Sequence, residues 1–135
     1  MNPLIVIVGI NHWDDITHIF LDSIFKFEEN PRIVLVDNAS DKPYAHDRCW
    51  IERSEKRLSF PAAINLALEN TLQWDKVAVF NNDCWANEKF IDRIAACNDD
   101  TFYGSKWNQP VKDIPLVYSA WMVISKKIWS RVGIS

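Results

Sequence analysis

Leu4-Ile-Val-Ile-Val8 is an unbroken run of apolar, mostly β-branched residues, the pattern of a strand buried on both faces. Helical spacing follows. Ile16, Ile19, Phe20, Ile24 and Phe27 recur along Asp14 to Phe27, with Asp14 and Asp15 in the first turn, where the helix dipole favours negative charge. Asn30-Pro31 ends that helix, and Arg32-Ile-Val-Leu-Val36 is a second buried strand. Asp37 to Pro43 is dense in turn residues, and Arg48 to Glu52 reads as a short strand. Ser59 and Pro61 mark the start of a helix from Pro61 to Gln73, proline being suited to a first turn. Lys76-Val-Ala-Val-Phe80 is the next strand. Asn87 is the expected N-cap of a helix running to about Asn98, with Phe90, Ile91 and Ile94 inward. Strands over Thr101–Lys106 and Leu116–Ser125 and a short helix over Lys126–Val132 complete the pattern. Such alternation predicts an α/β fold, a mostly parallel sheet with helices on both faces.

In such sheets ligands bind beyond the carboxyl ends of the strands. Three polar sets fall there: Asn11-His12-Trp13-Asp14, Asp37-Asn38-Ala39-Ser40 and Asn81-Asn82-Asp83. Their convergence is the most informative feature of the chain.

Composition narrows the chemistry. With 135 residues the chain is expected to form one domain, 1–135, able to fold without a disulfide or metal staple. Lys plus Arg is 15 and Asp plus Glu 18, a net charge of −3, which argues against nucleic acid as a partner. No run of residues has the length of a membrane span, so no transmembrane segment is expected. Cys49, Cys84 and Cys97 form no C-x-x-C pair, which argues against a disulfide framework and a zinc site and points to a reducing, cytoplasmic setting. The glycines are only Gly9, Gly104 and Gly133, so neither a P-loop nor a dinucleotide fingerprint can exist. A bound nucleotide would need its phosphates neutralised by something other than a glycine cradle.

The strand ending Val36-Asp37-Asn38-Ala39-Ser40, then Phe60-Pro-Ala-Ala-Ile-Asn65, then Val79-Phe80-Asn81-Asn82-Asp83, resembles the GT-A nucleotide-diphospho-sugar glycosyltransferases. The nearest branch is the rhamnosyltransferase-like part of family 2. Ser119 to Gly133 also fits, as a strand with small residues followed by a helix ending at glycine. The resemblance implies a metal-dependent, inverting transfer of a sugar from a nucleotide-sugar donor, UDP-linked by preference, with Mn²⁺ or Mg²⁺ on the diphosphate. It implies that Asp37 hydrogen-bonds the base and that the Gly9-Ile10-Asn11 backbone touches it. Asn81 would lie near the ribose, and Asn81-Asn82-Asp83 takes the place of the D-x-D motif, with Asp83 as the metal ligand. Asn38, Asn65 and Asn82 join the nucleotide-binding set. A hard cation held by one carboxylate and the substrate phosphates suits a chain without a glycine cradle.

Some positions depart from the family pattern. Arg57-Leu58-Ser59-Phe60 stands where N-x-G-F is common, and Arg57 is suited to a phosphate. The family's general base and acceptor subsite fall beyond residue 135, so no catalytic residue is identified here. Asp99, Asp100 and Asp113 are the nearest carboxylates, and the acceptor is unspecified. Slow donor hydrolysis is then the activity expected of the isolated chain. The alternative is a non-catalytic nucleotide-sugar-binding subunit that borrows base and acceptor site from a partner. Asp14-Asp15 superficially fits a receiver-type signalling domain, which the Asn81–Asp83 strand end weighs against. Of the tryptophans, Trp107 and Trp121 are suited to line a sugar site, and uncovered ones to form a homo-oligomer interface.

Overall fold

The computed structural model describes residues 1–71, 73–107 and 116–132. Strands β1 (Leu4–Gly9), β2 (Arg32–Asn38), β3 (Trp50–Ser54), β4 (Lys76–Asn81), β5 (Tyr103–Trp107) and β6 (Leu116–Ser125) form one sheet in the order β3-β2-β1-β4-β6-β5. β3, β2, β1 and β4 are parallel, and β6 runs antiparallel to both neighbours. The predicted mostly parallel sheet is therefore present, with the reversal confined to β6.

β1 is the central strand and is buried along its whole length. Its side chains alternate between two cores, as a pleated strand with both faces covered requires. Leu4, Val6 and Val8 pack with Ala63, Ile64, Ala67 and Leu68 of helix α2 (Phe60–Glu69). Ile5 and Ile7 pack with Phe20, Leu21 and Ile24 of helix α1 (His18–Phe27). Helix α3 (Ile91–Ala95) lies on the α1 side, and helix α4 (Lys126–Val132) reaches the α2 side through Ile128 and Trp129. No helix among the described residues is long and apolar enough to cross a membrane.

Helix starts differ from the sequence reading for identifiable reasons. The first helical segment opens with a π-helical turn, Trp13–Thr17, in which the His12 carbonyl accepts from both Ile16 N and Thr17 N at 3.0 Å. α2 begins as expected, with Ser59 Oγ accepting from Ala62 N at 3.3 Å and proline in the first turn. It stops short of Gln73 because Asn70 Nδ2 and Thr71 Oγ1 bond back to the Leu66 and Ala67 carbonyls. α3 does not start at Asn87. Its first amides, Phe90 N and Ile91 N, are capped by Glu28 Oε1 from the end of α1, at 3.0 and 3.5 Å. Ala86 N is held by Ser23 Oγ at 2.9 Å, which keeps the preceding segment extended against α1. At the other end of α3, the buried Lys76 ammonium donates to the Ala95 and Cys97 carbonyls and pairs with Asp99.

Gly9 ends β1 where backbone and side chains crowd. A Cβ there would stand 2.8 Å from the Tyr44 hydroxyl and 3.0 Å from Asn82 Cβ and Nδ2. Tyr44 and Asn82 are both tied by hydrogen bonds, so neither side chain is free to swing away. Gly9→Ala is therefore expected to lower unfolding free energy by about 1–3 kcal/mol, the range for overpacking. Urea unfolding measures it, and an unchanged midpoint would show that these loops yield at no cost.

Candidate functional site

From β1 the chain passes through α1 to β2 and then to β3 on one side, and after α2 returns to β4 on the other side of β1. The direction of winding reverses between β1 and β4, and ligands of open α/β sheets bind at the carboxyl edge of that point. Register places Gly9 beside Asp37 and Val8 beside Asn81. Gly9, Ile10 and Asn11 thus lie between the ends of β2 and β4, with Asn81, Asn82 and Asp83 across the reversal.

Asp37 has no exposed surface. Its Oδ1 accepts from Ser40 N at 3.0 Å, and its Oδ2 accepts from Tyr44 N at 2.9 Å and Arg53 Nη1 at 2.8 Å. Burial alone would raise its pKa. Hydrogen bonds from the Ser40 hydroxyl, the Tyr44 and Ser40 amides and Arg53 together outweigh burial and hold it below the ordinary 3.8. Arg53 also donates to the Ser40 carbonyl and to Glu55. The carboxylate expected to meet a nucleotide base is thus already filled by its own loop, and a base would have to displace one of these donors.

Asn38 is buried as well. Its side chain exchanges two hydrogen bonds with Leu58, Nδ2 to O at 3.0 Å and N to Oδ1 at 2.8 Å, mimicking one rung of a ladder beyond the end of β2. This anchors the segment carrying Arg57, which is exposed and has no side-chain partner among the described residues. Asn65 lies midway along α2, half-buried and engaged with a neighbour.

Asn11 and His12 both take left-handed backbone, φ 54° and 51°, and Ala39 has φ 63°. Such residues cost about 1 kcal/mol each and persist where surroundings hold them. Here Asn11 N donates to Ser40 Oγ at 2.7 Å, Asn11 Oδ1 accepts from Asp41 N at 2.8 Å, and Asn11 O accepts from Tyr44 Oη at 2.5 Å. The loops after β1 and β2 are therefore one hydrogen-bonded unit. Asn82 joins it through Nδ2, which donates to Thr17 Oγ1 at 2.9 Å.

Asn81 is half-buried and Asp83 is exposed, and among the described residues neither side chain has a hydrogen-bond partner. Among the described residues no group of three or more His, Cys, Asp or Glu side chains is arranged to hold a metal. A lone carboxylate fits a hard cation that arrives with phosphate oxygens, and does not fit a site loaded in advance. Burial, with the Asp83 charge, pushes the neighbouring Cys84 thiol up to about 11. Beyond Asp83 an apolar cleft of about 370 Å³ opens, lined by Phe80, Trp85, Phe90 and Trp121 among others. The side chain of Trp107, and Asp113 and Gly133, lie outside the described part.

Tyr44, Thr17 and Arg53 were not singled out from the sequence. Arg53 carries a signal, since a charged residue in a short strand beside Asp37 is a natural counter-charge. Tyr44 and Thr17 carry none, because their roles depend on packing between segments distant in the chain.

No family model and no curated protein matches the chain in sequence. Solved structures do match. A mannosyltransferase from Pyrobaculum calidifontis, in complex with GDP-Man and Mn²⁺, superposes with a TM-score of 0.73 at 14% identity, over 98% of this chain and 46% of that one. The glycosyltransferase GlyE of Streptococcus pneumoniae gives 0.68 at 14%, over 99% and 36%. S. aureus TarS gives 0.67 at 14%, over 97% and 49%. The fold is that of GT-A-type glycosyltransferases, and this chain spans less than half the length of these neighbours.

The lowered pKa of Asp37 has a consequence for stability. Its folded value lies below the unfolded one, so its contribution is fully present above about pH 4 and is lost as pH falls through the folded value. Asp37→Asn is expected to cost about 1–3 kcal/mol at pH 7, because the buried network loses its charge and one of its two acceptor oxygens. The gap to wild type should narrow below pH 3.8. Urea unfolding of both proteins at pH 7 and pH 3 measures this; a gap independent of pH would contradict it.

Proposed function

We propose that this chain is the donor-binding part of a glycosyltransferase, holding a nucleoside-diphosphate sugar with a divalent cation at the carboxyl edge between β1 and β4. The observation that carries the reading is the convergence, at the winding reversal of a GT-A fold, of the Gly9–Asn11 loop with the Asn81 and Asp83 side chains, which have no hydrogen-bond partner among the described residues. Asp83 is the ligand for Mn²⁺ or Mg²⁺. When bound with the diphosphate, the cation supplies charge neutralisation for the leaving group. Asn81 offers a donor and an acceptor to the ribose, and Arg57, anchored through Asn38 and Leu58, offers a charge to phosphate. The Gly9-Ile10-Asn11 backbone faces the base. Asp37 acts behind it, holding the loop and Arg53. The sequence resemblance favours a UDP-linked donor and an inverting transfer, while the mannosyltransferase neighbour was solved with GDP-Man. Both nucleotides are therefore to be tested.

A second reading, a binding subunit that takes its base and acceptor site from a partner, is favoured by one observation. Asp37 is the buried carboxylate among the described residues, and its lone pairs are occupied, so it is unsuited to take an acceptor proton.

The test is the thermal midpoint of wild type and Asp83→Ala with UDP, GDP or dTDP, with and without Mn²⁺. At a ligand concentration of about a hundred times Kd, linkage adds about 2.7 kcal/mol. For a domain of this size that raises the midpoint by roughly 10 °C. A Mn²⁺-dependent rise that disappears in Asp83→Ala is the expected result. The absence of a shift with every nucleotide at millimolar concentration would overturn the donor-site reading. Turnover with an acceptor by the isolated chain would remove the binding-subunit reading.

A further inference from the structure

We propose that Tyr44 is the positioning residue of this nucleotide site, acting through Thr17 on Asn82 and so on the direction in which Asp83 leaves β4. The inference rests on the donor-site reading above and adds a residue to it.

Hydrogen counting shows the logic. A tyrosine hydroxyl has one hydrogen, and Tyr44 donates it to the Asn11 carbonyl at 2.5 Å. The 3.3 Å contact between Tyr44 Oη and Thr17 Oγ1 must therefore use the threonine hydrogen. Thr17 Oγ1 in turn accepts from Asn82 Nδ2 at 2.9 Å. The result is a one-way chain from Asn82 through Thr17 and Tyr44 to the Asn11 carbonyl, in which each group donates to the next. Such chains strengthen cooperatively in a low-dielectric interior.

Thr17 is fully buried and the Tyr44 ring nearly so, so water does not replace a missing link without rearrangement. The chain joins loops that follow three different strands: Asn11 after β1, Tyr44 after β2 and Asn82 after β4. Its two ends are residues of the candidate site, and Asn82 is the neighbour of the metal-ligand candidate Asp83. Thr17 closes the π-helical turn, and such widened turns are rare and concentrate at functional sites. Tyr44 is also fixed from its other end, its own amide donating to Asp37. The hydroxyl thus transmits the position of the Asp37 loop to the end of β4.

The experiment is equilibrium titration of UDP and GDP, each with Mn²⁺, against wild type, Tyr44→Phe, Thr17→Val, Thr17→Ser and Ser125→Ala, well below every unfolding midpoint. Ser125 is a buried, hydrogen-bonded hydroxyl at the opposite edge of the sheet, where it faces Lys76, and serves as the control for general loosening. Tyr44→Phe and Thr17→Val are each expected to weaken Mn²⁺-dependent binding by roughly tenfold or more, the usual effect of losing a partner behind a metal ligand. The double variant should lose no more than the larger single loss, because one chain is broken in both. Thr17→Ser, which keeps the hydroxyl, should retain wild-type affinity, as should Ser125→Ala. If Tyr44→Phe does not fold, the Thr17→Val and Thr17→Ser pair carries the comparison. Wild-type affinity in Tyr44→Phe or Thr17→Val, or an equal loss in Ser125→Ala, would overturn the proposal while leaving the donor site standing. A wild type that binds neither nucleotide would overturn both, so the wild-type titration tells the two failures apart.

Discussion

A carboxylate with no exposed surface must find its hydrogen bonds and counter-charge inside the protein, because the desolvation of an unpaired charge is prohibitive. Asp37 is in that position, and meeting its demand organises the whole carboxyl edge of the sheet. It calls two amides of its own loop and the guanidinium of Arg53 to it. Drawing in the Tyr44 amide brings the Tyr44 hydroxyl over the end of β1. That approach leaves no room for a side chain at position 9 and supports left-handed backbone at Asn11. The loops after β1 and β2 therefore act as one wall, while at the end of β4 Asn82 is tied to it through Thr17 and the Asn81 and Asp83 side chains have no partner among the described residues.

The sheet was legible because its strands are long apolar runs whose burial on both faces leaves few alternatives. Leu4–Val8, Arg32–Val36 and Lys76–Phe80 all lie within observed strands, and the carboxyl edge followed from βαβ logic. The ends of helices were less legible where their caps come from elsewhere. Asn87 has the chemistry of an N-cap, but Glu28 supplies that function from the end of a different helix, and the sequence carries no sign of the encounter. The same holds for the candidate site. Asp37 could be singled out as an acidic residue at a strand end, but whether its oxygens face a ligand or the chain's own amides depends on the path of the next seven residues. Thr17 looked like an ordinary helix residue because the π-helical turn that surrounds it leaves no compositional mark.

The fold and the site give complementary information about function. At 14% identity the neighbours in the glycosyltransferase class share an architecture with this chain, and that architecture alone hosts a range of chemistries. What narrows the reading is the distribution of satisfied and unsatisfied polar groups. Asp37 and Asn38 are engaged by hydrogen bonds of their own loops, which builds the wall of the edge. Asn81 and Asp83 have no hydrogen-bond partner among the described residues, and they lie across the point where the winding reverses. The proposed ligand, a cation shared with a diphosphate, is one that a single exposed carboxylate can help to hold.

The strand order also sets a timetable for synthesis. β1 is the central strand, yet one of its two neighbours, β4, lies beyond β2, β3 and α2 in the chain. As the polypeptide leaves the ribosome, β1 and β2 can pair early, but the other edge of β1 has no partner until Lys76–Asn81 has emerged. At ~5–20 residues per second that is an interval of several seconds. During it, the unpaired edge of an apolar strand is exposed to neighbouring nascent chains, the kind of edge that finished proteins take care to cover. An expression yield that falls as synthesis outpaces β4 pairing would then reflect the order in which the strands are made.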